Sequence, residues 1–126
     1  MLSSFPAMTT IPVADMARAR AFYDDLGFKA TREGVEGVTY QAGDTMFLLF
    51  ETPMAGTNKA TAMAFGVSPT GFDGEVADLR SHGVQFMTFE APTGTWDNGV
   101  LNDGDMHTAW FEDPDHNVLC IATMPE

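Results

Sequence analysis

Cysteine, basic side chains and long apolar runs are what this chain has least of. A single thiol, Cys120, allows no intramolecular disulfide, which fits a reducing compartment and a fold carried by its core. Six Lys and Arg stand against 18 Asp and Glu, a formal net charge of -12. Affinity for phosphate backbones comes from basic side chains, so nucleic acid is not the expected partner, nor is an anionic membrane surface. No window approaches the roughly 18 apolar residues of a membrane span, and the opening MLSSFPAMTT has neither basic n-region nor apolar stretch of a signal peptide. A soluble, cytoplasmic protein is expected. The same acidity favours a cationic ligand over an anionic one.

What is present is a repeated order of elements within 126 residues, the length of one domain, 1–126. Met8 to Val13 reads as a strand. Met16, Ala19, Phe22, Tyr23 and Leu26 then recur at helical spacing behind Asp15, a carboxylate placed to cap the first turn, and Gly27 stops the helix. Extended segments follow around 28–32, 38–42 and 45–51. Residues 52–59, with Pro53, Gly56 and Asn58, read as a linker. The order then begins again: a strand over 61–67, a helix through Phe72, Val76 and Leu79 ending before Gly83, and extended segments around 84–88, 106–112 and 118–123. Repeat one spans about 6–52 and repeat two about 60–124. The expected fold is α+β: two βαβββ modules forming a curved mixed sheet with a concave cleft, helices on the outer face.

Ile11 to Met16 followed by Arg20-Ala21-Phe22-Tyr23-Asp24-Asp25-Leu26-Gly27-Phe28, and the closing Trp110 to Asn117, resemble the vicinal oxygen chelate superfamily of glyoxalases, extradiol dioxygenases and bleomycin resistance proteins. The resemblance covers nearly the whole chain. In its Asp-Pro-Asp-Gly-Asn turn, His116 replaces the usual Gly. Metal-dependent members hold their metal with His, Gln and Glu on inner strand positions. Carried over position by position, those places fall on Met8, Ala62 and Cys120, with Glu51 the one ionisable candidate for the fourth. One carboxylate does not make a divalent metal site, so no metal and no cofactor is expected.

Strand alternation suggests a lining for the cleft. If Ile11 and Val13 pack on the first helix, Met8, Thr10 and Pro12 turn inward. If Met63, Phe65 and Val67 pack down, Ala62, Ala64 and Gly66 line the concave face. Thr108 and Trp110, with Val118, Cys120 and Ala122, follow the same phase, and Tyr40, Phe47 and Leu49 are additions from strands whose register the pattern does not fix. Trp96 stands in the segment 92–99, too rich in glycine for regular structure, and reads as a lid or interface residue. The expected ligand contacts are therefore Met8, Thr10, Tyr40, Ala62, Ala64, Trp96, Thr108, Trp110 and Cys120.

Asp113, Asp115 and Asn117 alternate like the start of a calcium loop, but Val118 stands where its glycine belongs, so a turn is expected. Of three histidines, His82 reads as a helix-end residue and His116 as part of that turn. His107 lies one residue off the inward phase, so only a bulge would bring it into an acid-base role. The first reading is a metal-independent protein that sequesters a hydrophobic or aromatic small molecule, a cationic one being favoured by the acidic charge, similar to drug-resistance members of the family, and is a homodimer. The alternative is a lyase, isomerase or dioxygenase with an altered metal site using Glu51 and His107. An interaction module without a small ligand is the third.

Overall fold

The computed structural model describes residues 1–124 as two compact units divided after Asn58. In the first unit, β1 (Thr9–Val13) leads through the Asp15 cap into α1 (Met16–Asp25), followed by β2 (Lys29–Gly34), β3 (Gly37–Ala42) and β4 (Thr45–Glu51). Asp15 Oδ1 accepts from the Arg18 amide at 3.2 Å, as its position ahead of the apolar repeat requires. At the other end the amides of Gly27 and Phe28 return to Asp24 and Tyr23 carbonyls, closing the helix. The strands form a mixed sheet in the order β1-β4-β3-β2, with β1 parallel to β4.

Paired residues on neighbouring strands share a face, so the register sorts the side chains. Ile11 pairs Leu49, which pairs Val38, and Phe47 pairs Tyr40. All five are buried, with Ala19 and Tyr23 of α1 buried alongside. The tyrosine and phenylalanine rings make one cluster, Tyr23 lying 6.0 Å from Tyr40 and 5.4 Å from Phe47. Tyr40 is thus a core residue of the helix face. Its hydroxyl donates to Asp24 Oδ1 on α1 at 2.7 Å, and the expectation that it contacts ligand is corrected.

The second unit repeats strand then helix, β5 (Thr61–Val67) and α2 (Phe72–Ser81), and continues with four strands. These are β6 (Thr95–Asp97), β7 (Val100–Asp103), β8 (Met106–Glu112) and β9 (Val118–Thr123). The sheet order is β5-β9-β8-β7-β6, again with the first strand parallel to its neighbour. Two expectations fail here. Residues 84–88 form no strand and contribute a single bridge, Met87 to Trp110, while the glycine-rich segment around Trp96 forms a hairpin. Asn98 and Gly99 stand at its tip with φ of 50° and 83°, the pair of left-handed residues that a tight two-residue hairpin needs.

Asp113 holds the last turn as the sequence suggests. Its Oδ1 accepts from the amides of Asp115 and Asn117, each at 2.9 Å, and the Asn117 amide side chain donates to Oδ2 at 2.8 Å. His116 occupies the left-handed region at φ 64° and its Nδ1 lies 2.6 Å from Glu112 Oε2. Among the described residues, no helix is long and apolar enough to cross a membrane.

Candidate functional site

The sheet of the second unit has two faces of different character. Toward α2 it presents Ala109, Phe111, Leu119 and Ile121, all buried. On the opposite face the register places two cross-strand rows. One runs Gly66, Ala122, Thr108, Leu101, Trp96, and the other runs Ala64, Cys120, Trp110. Small residues at one end and indoles at the other make a shallow floor beside an aromatic wall.

Three rings build that wall. Phe89 lies 4.8 Å from Trp110 and 5.3 Å from Trp96, and the two indoles are 5.9 Å apart, all three contacts edge to face. Such pairs contribute about 0.5–1.5 kcal/mol each beyond their burial. Backbone and side-chain bonds fix them further. The Met87 amide donates to the Trp110 carbonyl at 2.9 Å, which holds the irregular segment against β8 and brings Phe89 alongside. Trp96 Nε1 donates to the Phe89 carbonyl at 3.0 Å, and Trp110 Nε1 donates to Thr61 Oγ1 at 3.2 Å. The wall is nevertheless open: Phe89 is 43% exposed and both indoles are half-buried. An apolar surface that is held in place and left uncovered is the usual form of a recognition surface for flat organic molecules.

Of the residues expected to meet ligand, Ala64, Trp96, Thr108, Trp110 and Cys120 stand together on this face. Ala62 does not join them as expected. The register slips between Thr61 and Met63, so Ala62 is the extra residue of a bulge and Thr61 takes the open face opposite Val118. Cys120 is buried between Ala64 and Trp110, and burial pushes its thiol pKa up, so it contributes soft apolar surface instead of a thiolate. Met8 and Thr10 are exposed residues of the first unit, Thr10 on the sheet face away from Ile11 and Val13.

Phe89, Thr61 and Leu101 are the contributors that sequence reasoning missed. Phe89 lies in a stretch without periodicity, and Thr61 was displaced by a bulge that no pattern announces. Leu101 had a signal, the Asn98-Gly99 turn, which fixes the hairpin and hence its phase.

Glu51 and His107 have structural partners. Glu51 pairs in register with Val13 on the helix side, and its Oε2 accepts from the Met16 amide at 3.0 Å, at the positive end of α1. His107 pairs with Asn102, and β8 runs without a bulge. Its ring therefore lies on the α2 side, 5.9 Å from Phe72 and hydrogen-bonded through Nδ1 to Asn102 Oδ1, away from the aromatic wall. A divalent metal requires three or more oxygen, imidazole or thiolate donors converging. Among the described residues no three His, Cys, Asp or Glu gather in that way, and Met8, Ala62, Cys120 and the already engaged Glu51 are not a fitting donor set.

Comparison with protein-family models matches residues 6–121 to one described as Glyoxalase/Bleomycin resistance protein/Dioxygenase superfamily. No curated protein matches the chain. Similar solved structures include a bleomycin-binding protein complexed with bleomycin, 20% identical, covering 96% of this chain and 99% of its own, with a TM-score of 0.72. A glyoxalase/bleomycin resistance protein/dioxygenase from Alicyclobacillus acidocaldarius is 16% identical over 97% and 92% of the two chains, with a TM-score of 0.71. The fosfomycin resistance protein FosX from Listeria monocytogenes, complexed with Mn(II) and sulfate, is 12% identical over 97% and 91%, with a TM-score of 0.70. At these identities the likeness is one of fold.

Proposed function

We propose a function from one premise: the chain belongs to the Glyoxalase/Bleomycin resistance protein/Dioxygenase superfamily. Within it, this protein acts as a metal-independent binder that sequesters a flat, hydrophobic and cationic small molecule, in the manner of a drug-resistance protein. The observation that carries the reading is the uncovered aromatic wall of Phe89, Trp96 and Trp110. Rings attract cations through their quadrupoles, and a formal net charge of -12 draws cations toward the molecule. That a bleomycin-binding protein shares the fold is consistent with such a role. The poor donor set at the inner strand positions supports a site without metal, and the reading includes a homodimer, which light scattering tests.

An enzyme with an altered metal site would need Glu51 and His107 to act on one ligand. Glu51 is engaged at the end of α1 and His107 faces α2, so neither position favours that alternative.

The test is titration with acridine orange, a planar cation, followed by quenching of tryptophan emission. Saturable quenching that is unchanged by EDTA is expected, and Trp110→Ala weakens it by about tenfold, the loss of one well-placed ring contact of ~1.4 kcal/mol. Quenching that appears only after added divalent metal, or equal affinity for an anionic pyrene sulfonate, would overturn the reading.

A further inference from the structure

On the other side of the same sheet lies a cavity of about 400 Å³, between α2 and the β6 to β8 strands, which the aromatic wall does not touch. Its size is that of a pocket for a small organic molecule. His107 stands in its lining, half-buried, with Nδ1 bonded to Asn102 Oδ1. Because an amide oxygen only accepts, Nδ1 is the donor in this bond, and Nε2 is the ring nitrogen left to meet a ligand. Asp73 on α2 and Asp97 at the end of β6 add two exposed carboxylates. Arg80 is the basic side chain in the lining, and its guanidinium is already engaged, donating to the Asn98 carbonyl and lying 5.3 Å over the Phe86 ring. Two carboxylates against one guanidinium leave the lining with a net negative charge, and the amide side chains of Asn98 and Asn102 add neutral polar groups.

We propose that this cavity is a second ligand site, separate from the aromatic wall, that takes a small primary amine in its ammonium form. The N–H groups of the ammonium donate to His107 Nε2 and to the carboxylates of Asp73 and Asp97, and its hydrocarbon part lies along Val76 and Val100. An amine is selected over an alcohol of the same shape by charge, and over a carboxylate by repulsion.

Benzylamine, benzyl alcohol and benzoate form a series of nearly constant shape and differing charge. Nitrogen-resolved NMR of the full chain reads the His107 imidazole and the α2 amides for this cavity, and the Trp96 and Trp110 indoles for the wall. Benzylamine is expected to shift His107 Nε2 and the amides around residues 73 and 97 in a saturable way while leaving the indoles in place. Asp73→Asn and Asp97→Asn, both at exposed positions, each weaken it by about two- to fivefold, the range of a partly screened charge contact. Trp110→Ala weakens acridine orange binding without changing the benzylamine response, so the two proposals fail separately. Benzoate binding as tightly as benzylamine, shifts confined to the indoles, or no shift up to about 10 mM benzylamine would each overturn the second site.

Discussion

Tyr40→Phe isolates one buried polar group and separates a core role from a ligand role. The ring stays where it is: fully buried, stacked on Phe47 at 5.5 Å with the planes 10° apart, and packed on Tyr23. Only the hydroxyl is lost, and with it the 2.7 Å bond to Asp24. A hydrogen bond to a charged group contributes about 1.5–3 kcal/mol. Asp24 is exposed and water replaces the phenol, which places the loss at neutral pH near the lower end, about 1.5 kcal/mol.

The same environment has the opposite consequence in alkali. Burial first, and the Asp24 carboxylate second, push the Tyr40 phenol from 10.0 up to about 12. In the unfolded chain the proton leaves near pH 10, whereas the folded chain keeps it. Between these values the native state binds more protons, so stability falls as pH rises through the window, by up to ~2.7 kcal/mol for two units. The phenylalanine variant has no such group. Wild type is therefore the more stable protein at neutral pH, the difference shrinks above about pH 10, and the order reverses at about pH 11. Urea unfolding followed by far-ultraviolet circular dichroism across that range measures it, since every other group is common to both proteins and cancels in the difference. A difference independent of pH would refute the reasoning, as would an unchanged stability together with weakened acridine orange binding, which would return Tyr40 to the ligand.

Two further outcomes concern the backbone. Gly37 has φ 137°, and a Cβ there would stand 2.0 Å from the Leu49 carbonyl oxygen, a strand atom that cannot move without breaking the β3–β4 ladder. Gly37→Ala is expected to cost at least about 3 kcal/mol, visible as a large drop in the urea midpoint, and a loss below about 1 kcal/mol would contradict the clash. His116→Gly removes a side chain from the left-handed region, a gain of about 1 kcal/mol, against the exposed Glu112 contact at about 0.3–0.5 kcal/mol. A small rise in Tm is expected, and a fall would show that the His116 contact is the stronger of the two.

Elements whose residues repeat in a regular phase could be read from the chain. Asp15 ahead of Met16, Ala19 and Tyr23 located α1 and its cap, and the runs 45–51 and 118–123 located the strands that pair with the first strand of each unit. The open-face phase of Ala64, Thr108, Trp110 and Cys120 followed from the same alternation. Where phase is interrupted the reading fails for a physical reason. One inserted residue at Ala62 exchanged Thr61 for it, and Phe89 arrives through a segment held by a single bridge. Tyr40 went astray because its direction depends on pairing with Phe47 across the Gly43-Asp44 turn, a register that alternation within a single strand does not contain. The Trp96 hairpin is a different failure, since glycine content outweighed the Asn-Gly turn that the chain displays.

Both indole N–H groups of the aromatic wall are already donated, one to the Phe89 carbonyl and one to Thr61 Oγ1. A site rejects a near analogue sharply when its own buried donor or acceptor is left without a partner by the wrong guest. These indoles have no donor to leave stranded, so adding or deleting a hydroxyl or amide on a guest changes little at the wall. In the proposed binding role, discrimination there would rest on breadth, flatness and charge, and a wide spectrum of accepted compounds would follow.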